Sequence, residues 1–533
     1  MYIIKTLLCV LIGVILAVLA VQSFLYTTAK QGMTDEQTVL RELMPLELDD
    51  FAFELLGVAL ILGLLYLMLR KSDGKLKGFV TFQNIALVLI FLESIAFIFL
   101  VDRMVFWDAQ KIYKAAQSDS PLHLNGYFNL NQHQIGMYLY EKLIFTLSFG
   151  NELVADALFA LINALATTFG FLYLFKISRL IFKEILVTRI LVCLSVLALP
   201  VIAESWALYG LTFMFPIFTI AFYLLTSYFK TQNADTLLLS ALVLGIGTVI
   251  KPNVLIGVIA FVIFAIYILF KFRHILAVSG SIALVLCVSL FATPLICSAF
   301  QITGPTTSTL AQLAIGTEIR PVTEDKYPIF KKNPNHRIYG FWNGGGGYNH
   351  GMPYRKCESS DLEDNREEFY ACTNENNQLN KERLLDNFSY IAEHPDEAVN
   401  FFFTKQALQW TSPNLGVFVY PTVYCRPDKC WTDDPLKRSL LNQETVYDAF
   451  NFVSNAHQLI VYAFAAIGMF ALRKKRFITY LLPITFLGGF LFYTISEMKA
   501  NYAIPFFALL LPVAAYGLFV VFKKARAPFQ RVC

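Results

Sequence analysis

Apolar runs of about 17–25 residues recur from one end of this chain to the other, and they constrain its fold more than any other feature. Hydrophobic residues make up 56% of the 533 residues, and charged residues only 15%. Helices of soluble proteins alternate polar and apolar faces, so runs of this kind are typical of membrane-spanning helices. The pattern predicts about twelve spans, at residues 4–26, 52–70, 81–101, 152–176, 185–203, 207–228, 235–249, 252–272, 277–299, 456–472, 477–495 and 502–522.

The positions of the basic residues test this topology, because loops rich in Lys and Arg stay in the cytoplasm. With the N-terminus inside, every inside loop carries at least one basic residue, as at Arg70, Lys71 and 473–476. The first outside loop is mainly acidic. The sequence therefore predicts a multi-pass plasma-membrane protein in a lipid bilayer, with both termini in the cytoplasm. The net charge of +4 is small and gives no indication of nucleic acid as a partner.

The same topology divides the chain into three parts. Residues 1–300 form a transmembrane core, with interfacial helices in the outer loop 102–151. Residues 301–455 are hydrophilic and long enough to form one extracytoplasmic domain of α/β or mixed structure. Residues 456–533 hold the last transmembrane helices and a basic cytoplasmic tail. The expected fold class is thus an all-α polytopic membrane protein with one extracytoplasmic domain.

Four of the nine cysteines lie in the predicted extracytoplasmic domain, at Cys357, Cys372, Cys425 and Cys430. An even number on an oxidising face predicts disulfide bonds. Pairing Cys357 with Cys372 and Cys425 with Cys430 gives the shortest loops of the three pairings. The spacing does not match a zinc site, and no metal ligands are predicted.

Two carboxylates, Asp102 and Asp108, follow the third predicted span and are the first candidates for chemistry. The apolar stretch 135–149 carries Glu141 and Lys142 in its middle, which favours a helix lying in the interface over a full span. Both acids are therefore expected on the extracytoplasmic face. A carboxylate there can act as a general base, or two can hold a divalent cation. The alternative is that Asp102 only ends a span at the water boundary.

Several segments together resemble the GT-C glycosyltransferases, and most closely the bacterial dolichyl-phosphate-mannose-protein mannosyltransferase-like proteins, which use polyprenyl-phosphate sugars. The resemblance covers about residues 80–520, and the first two spans look like an addition before it. The segments are DRMVFWDAQKIYKAAQ (102–117), YFNLNQHQIGMYLYEKLIF (127–145), LYGLTFMFPIFTIAFYLL (208–225), LGIGTVIKPNVLIGVIAFVI (244–263), GGYN (346–349), FFFTKQALQW (401–410) and SEMKANYAIPFFALLLP (496–512).

The resemblance implies a GT-C-like fold and transfer of a hexosyl or pentosyl group from a polyprenyl-phosphate donor. The acceptor would be a cell-envelope glycan, a lipid-linked glycan or a protein. Asp102 matches the position of the general base, and Asp108 would support it. The candidates for binding the donor phosphate are Arg103, Lys251, Lys405 and Lys499. No cofactor is implied with certainty, and a divalent cation is left open. One departure is Asn501, where family members often carry Arg.

Lys251 is the strongest of the phosphate candidates, because it lies between two apolar helices and a helix beginning near Pro252 would add its positive end. A turn lysine reaching for the headgroups is the alternative. Further candidates for contact with acceptor or sugar are less specific, since each is also a common boundary or loop residue. They are Glu204, His133, Trp342, Tyr348 and Glu497.

Two other classes of function remain open from the sequence. A transporter or flippase of a lipid-linked glycan would place ionisable groups in mid-membrane and often shows repeated halves. Here Glu93 is the clear acid within a span and no half-repeat is evident. A glycan polymerase or ligase would share the outer-face site but would not need an acid directly after a core span.

Overall fold

The computed structural model describes residues 2–28, 46–70, 76–101, 107–118, 120–302, 304, 308–319, 366–418, 432–442 and 444–526. Nearly all of the secondary structure in these ranges is helical. The helices are α1 Tyr2–Leu25, α2 Phe51–Arg70, α3 Leu76–Val101, α4 Trp107–Gln117, α5 Gly126–Leu130, α6 Ile135–Leu147, α7 Glu152–Phe182, α8 Ile185–Val196, α9 Leu199–Ala203, α10 Leu211–Thr231, α11 Ala234–Ile250, α12 Leu255–Phe272, α13 Ile275–Ala299, α14 Ser308–Gly316, α15 Arg366–Glu393, α16 Pro395–Trp410, α17 Pro435–Leu441, α18 Thr445–Leu472, α19 Leu481–Ile495 and α20 Ile504–Arg526. Short 3₁₀ turns lie at Leu122–Leu124, Gln132–Gln134, Glu204–Trp206, Pro252–Val254, Phe477–Tyr480 and Ala500–Ala503.

Within the described ranges, nine helical stretches are long and apolar enough to cross a membrane. A tenth candidate is the pair Ile185–Val196 and Leu199–Trp206, which is bent by 60°. The other two predicted spans correspond to the shorter apolar helices Phe51–Leu67 and Ala234–Ile250. The prediction of an all-α polytopic membrane protein is confirmed at this level, and the count of about twelve spans stays a prediction.

The loop after α3 folds as the short helices α4, α5 and α6. Because α6 has 13 residues and a helix rises about 1.5 Å per residue, it is too short to cross a hydrocarbon core of about 30 Å. It packs closely on the end of α11: a Cβ on Gly136 would lie 2.1 Å from the carbonyl oxygen of Val249. The polar loop is thereby fastened to the helix junction that carries Lys251.

Proline determines where two spans break. In the α8–α9 pair, Pro200 stands in the first turn of α9, where its missing N–H costs nothing. In the α11–α12 pair, Pro252 follows Lys251, which adopts an extended backbone with φ −148° and ψ 116°. A residue before proline is disfavoured in the helical region, so α11 ends there. The α11–α12 break places the polar residues Lys251 and Asn253 between two apolar helices.

The predicted extracytoplasmic region is helical wherever the structure describes it. Residues 308–316, 366–393, 395–410 and 435–441 form α14 to α17, and α18 begins at Thr445, earlier than the predicted boundary at 456. No strand occurs in the described part of 301–455, so the expected α/β or mixed structure is not found in those residues. The strands β1 Tyr26–Thr28 and β2 Leu46–Leu48 instead pair antiparallel at the ends of the first two helices, with Tyr26 opposite Leu48.

The helices α18 and α20 cross at unusually short range. A Cβ on Gly517 would lie 1.9 Å from the carbonyl oxygen of Phe464, and one on Gly468 would lie 2.3 Å from that of Val513. Small residues allow this approach, which membrane helices use because tight packing drives their association. Around the crossing, α20 is almost completely buried.

We expect Gly517→Ala to destabilise the protein by about 1–3 kcal/mol, because the added methyl group would overlap the Phe464 carbonyl. Thermal unfolding of the detergent-solubilised chain measures the effect. Gly63→Ala is the matched control, since a Cβ there meets nothing within 4 Å. Equal unfolding temperatures for the two variants would contradict the packing argument.

Candidate functional site

Lys251 lies at the junction of α11 and α12, and its side chain is 3% exposed. Its ammonium nitrogen lies 3.7 Å from the ring centroid of Tyr209 and 5.5 Å from that of Tyr502. Gly210 makes this burial feasible, because a Cβ there would lie 3.1 Å from the Cβ and Cδ of Lys251. The aromatic faces stabilise the cation, which would otherwise be costly to bury.

Within the described part of the chain, the Lys251 ammonium group forms no salt bridge and no hydrogen bond. It lies within electrostatic range of the buried Glu204 and of His133 without touching either. Glu204, which is 4% exposed, begins the 3₁₀ turn after α9. A buried cation surrounded by ring faces and left without a bonded anion is suited to bind an anionic ligand.

His133 stands in the 3₁₀ turn between α5 and α6. Burial, and secondarily the charge of Lys251, lower the pKa of His133 to about 3. Its imidazole is therefore neutral at physiological pH. Among the described residues, its Nδ1 atom has no hydrogen-bond partner. The neighbouring Gln134 donates from Nε2 to the hydroxyl oxygen of Tyr209 at 2.9 Å, which fixes the ring that faces Lys251.

Asp108 lies in the first turn of α4, where the helix N-terminus stabilises a carboxylate. Burial raises the pKa of the Tyr127 hydroxyl, and the nearby Asp108 carboxylate raises it further. Tyr209 acts in the same direction and Lys499 in the opposite one. These four side chains therefore share one electrostatic environment. Asp108 and Tyr209 both lie within electrostatic range of Tyr127, and Tyr209 faces Lys251, so the two tyrosines connect Asp108 with Lys251.

Lys499 has the same local geometry as Lys251. Its φ of −145° and ψ of 114° nearly repeat the backbone of Lys251, and each lysine precedes a 3₁₀ turn that leads into an apolar helix. Both lysines occur in a Lys-x-Asn sequence. The Lys499 ammonium group pairs with Glu497 at 3.2 Å and lies 5.9 Å from the centroid of the Tyr502 ring. Tyr502 is thus the ring that the two lysines share.

No protein-family model and no curated protein sequence matches this chain.

The helix α16 holds the Lys499 segment in place. Gln409 donates from Nε2 to the Lys499 carbonyl at 2.5 Å and accepts from the Lys499 N–H at 2.9 Å. One turn earlier, Gln406 donates to the Thr494 hydroxyl at 2.5 Å. Gln409 was not a candidate from the sequence, since a glutamine in a helix carries no signal of its partner.

Lys405 has a structural position that differs from the predicted one. Its ammonium group donates to three backbone carbonyls, of Gly316 at 2.5 Å, Ser496 at 2.7 Å and Thr494 at 3.0 Å. Burial lowers the pKa of Lys405 to about 7, while Glu497 acts in the opposite direction. An ammonium group has three donors, and all three are used here. The expected contact of Lys405 with a donor phosphate is therefore not supported by this geometry.

Several predicted residues lie outside the described ranges. They are Asp102, Arg103, Trp342, Tyr348, Cys357, Cys425 and Cys430. Cys372 is disulfide-bonded, and its pairing with Cys357 stays a prediction. Among the described residues, no group of three or more His, Cys, Asp or Glu side chains could hold a metal ion.

The sequence did not predict the tyrosines of the site. Tyr127, Tyr209, Tyr493 and Tyr502 are ordinary residues in a chain with 26 tyrosines. Tyr493 accepts from Asn253 Nδ2 at 2.6 Å, which joins α19 to the turn that carries Lys251. The signal that could have found three of them is adjacency, because Tyr127, Tyr209 and Tyr502 stand in the same segments as the quoted motifs.

We expect Gln409→Met to release the Lys499 segment, because methionine matches the length of the side chain but makes neither backbone hydrogen bond. The loss should be about 1–3 kcal/mol of local stability. Hydrogen exchange of residues 496–501 measures it. The control is Gln378→Met, whose side chain lies on the exposed face of α15 and, among the described residues, bonds only Glu382.

We expect His133 to make the protein less stable in acid. Its folded pKa of about 3 lies below its ordinary value of 6.5, so the unfolded state binds more protons between these values. The stability that the neutral His133 contributes is fully present above pH 6.5. It falls as the pH drops, by about 1–2 kcal/mol at pH 5. His133→Gln should lose less stability than the unmodified chain between pH 7 and pH 5 in thermal unfolding. A parallel loss in both proteins would contradict this assignment.

Proposed function

We propose that this protein is a membrane glycosyltransferase that moves a sugar from a polyprenyl phosphate to an acceptor hydroxyl. The acceptor class is a cell-envelope glycan, a lipid-linked glycan or a protein. The observation that carries the proposal is the buried Lys251 ammonium group, which faces tyrosine rings and has no bonded anion in the described chain. A phosphodiester headgroup bound there would neutralise the charge of the ammonium group. The resemblance of the motifs around this lysine to GT-C enzymes supports the same conclusion.

The two lysines divide the binding of the phosphate. Lys251 is the deeper cation, and Lys499 approaches the shared Tyr502 ring while paired with Glu497. The 3₁₀ turns that follow the lysines lead into α12 and α20, whose N-termini add partial positive charge. The leaving phosphate gains charge during transfer, so fixed cations there stabilise the transition state more than the ground state.

A carboxylate is needed to accept the proton of the acceptor hydroxyl. In this proposal Asp108 has that role, because among the described residues its carboxylate lies within electrostatic range of Tyr127, as do Tyr209 and Lys499. Asp102, the position favoured by the sequence resemblance, is the second candidate. Neutral His133 and the hydroxyl of Tyr127 are available as hydrogen-bond partners for the sugar or the acceptor.

The reaction then balances as a substitution at the anomeric carbon. The acceptor oxygen forms a bond to that carbon while its proton passes to the carboxylate. The bond between the anomeric carbon and the phosphate oxygen breaks, and its electron pair leaves on the polyprenyl phosphate. Lys251 and Lys499 balance the charge of the phosphate monoester. No oxidant, reductant or further reactant is required.

We expect Asp108→Asn to reduce sugar transfer by about 10²–10⁴-fold while the protein still inserts and folds, because the amide cannot accept the proton. The measurement is mass spectrometry of envelope glycans and lipid-linked sugars in a deletion strain that expresses each variant. Glu152→Gln is the control: it alters another acid in the first turn of a helix, bonded only to Gln117 in the described structure.

Asp102→Asn in the same strain separates the two acids. Loss of the glycan with Asp102→Asn and not with Asp108→Asn would move the base to Asp102. Full glycan from both variants would reject the transferase mechanism. Inner-leaflet accumulation of an otherwise complete lipid-linked glycan in the deletion strain would favour a flippase.

We expect Lys251→Gln to lower transfer by about 10²-fold or more, because it removes the more deeply buried of the two cations proposed to bind the phosphate. Lys405→Gln is the informative comparison. It should lower the unfolding temperature, since three backbone carbonyls lose their donor, and it should affect transfer only through that loss of folded protein. Reversal of these two patterns would contradict the assignment of the lysines.

A further inference from the structure

A second cluster of buried polar groups lies away from the proposed active site, where the outer turn of α1 meets α18. Ser23 on α1 and Asn455 and Gln458 on α18 are 0%, 7% and 1% exposed. The Ser23 hydroxyl oxygen lies 3.5 Å from Asn455 Oδ1 and 3.4 Å from Gln458 Oε1. Three oxygen atoms therefore converge inside the helix pair.

The orientation of both amides is fixed by their nitrogen atoms. Asn455 Nδ2 donates to a carboxylate oxygen of Asp49, and Gln458 Nε2 donates to the Ser412 carbonyl at 3.2 Å. Each amide oxygen must then point towards Ser23. A hydroxyl has one proton, so it can serve only one of the two amide oxygens. A second buried oxygen lacks a donor, which is costly unless another positive group is bound there.

One carboxylate is bonded to this cluster, and a second lies within electrostatic range of the first. Asp49 accepts from Asn455, and Glu54, in the first turn of α2, lies close enough to Asp49 for the two charges to repel. Glu54 is 3% exposed, and neither of its oxygens has a hydrogen-bond partner among the described residues. One turn along α2, a Cβ on Gly57 would lie 2.8 Å from Ala456, which directs this face of α2 at α18.

We propose that Ser23, Asp49, Glu54, Asn455 and Gln458 form a Ca²⁺ site that joins α1, α2 and α18. The donor set consists of oxygen atoms only, with two carboxylates, which is the chemistry of a hard divalent cation. Adjacent ligands at about 2.4 Å from an ion lie about 3.4 Å apart at right angles, as the oxygens here do. Ligands of Mg²⁺, at about 2.0–2.1 Å, would lie only about 2.9 Å apart.

The ion supplies what the cluster lacks. It neutralises the repulsion between Asp49 and Glu54 and bonds the amide oxygen that the Ser23 proton does not reach. Its role is structural, because it ties the first helical hairpin to the rest of the bundle. The site shares no residue with the proposed active site, so the inference does not depend on the proposed function.

The test uses the purified full-length chain in detergent after treatment with a chelator. Thermal unfolding is followed while CaCl₂ or MgCl₂ is added at constant ionic strength. Ca²⁺ should raise the unfolding temperature by about 2–4 °C when it is about a hundredfold above its dissociation constant. Mg²⁺ should give a smaller shift. Direct binding of radioactive Ca²⁺ by equilibrium dialysis should give one site.

Glu54→Gln keeps the shape of the side chain but removes a charge, and it should weaken Ca²⁺ binding at least about tenfold. The matched control is Glu93→Gln, another acid in an apolar helix, α3, whose variant should keep the full Ca²⁺ shift. Equal weakening in both variants, or no Ca²⁺ shift in the unmodified chain, would overturn the proposal.

Asn455→Asp separates an ion site from a purely hydrogen-bonded network. It replaces the donor to Asp49 with a third carboxylate, so the chain should be less stable than the unmodified protein in chelator. Ca²⁺ should then give a larger rise in unfolding temperature than it gives the unmodified chain. A destabilised variant that Ca²⁺ does not rescue would show a network without an ion and would reject the site.

Discussion

Keeping ammonium groups at the junctions of apolar helices is the constraint on which this structure depends. A lysine in such a place is stable only if its charge is met by ring faces, by carbonyl oxygens or by an anion. The three buried or half-buried lysines of this region show one solution each. Lys251 has tyrosine rings, Lys405 has three carbonyls, and Lys499 has the carboxylate of Glu497. This requirement is met by the helix breaks and by the tyrosines and glutamines around them.

The sequence predicted the membrane character well, because a run of apolar residues has only one solvent in which it is stable. All twelve predicted spans coincide with helices: nine with stretches long and apolar enough to cross a membrane, one with the bent pair α8 and α9, and two with α2 and α11. The sequence also predicted that 135–149 is not a full span, since Glu141 and Lys142 interrupt the run, and the 13-residue length of α6 agrees with this. The α/β or mixed structure predicted for 301–455 was not found in its described part, because a hydrophilic stretch carries no periodicity strong enough to exclude helices.

The candidate site was only partly predictable from the sequence. Charge in an apolar context drew attention to Lys251 and Asp108, and the structure places both beside the same group of tyrosines. The same rule misled for Lys405, because sequence does not reveal that three carbonyls from two distant segments meet its ammonium group. Tertiary contacts of this kind depend on where helices break and how the following segments pack. The identity of a single residue does not predict either. For the same reason Gln409 could not be recognised.

The hydrogen bonds between α16 and residues 494–499 restrict how these two segments can move relative to each other. Lys405, Gln406 and Gln409 bind that segment through five hydrogen bonds from one helical face, and Lys405 makes a sixth to Gly316. Separating the two would remove two of the three acceptors of a buried ammonium group, which is costly. We therefore expect the helix and the segment to move together, so that a displacement of α16 would also displace Lys499.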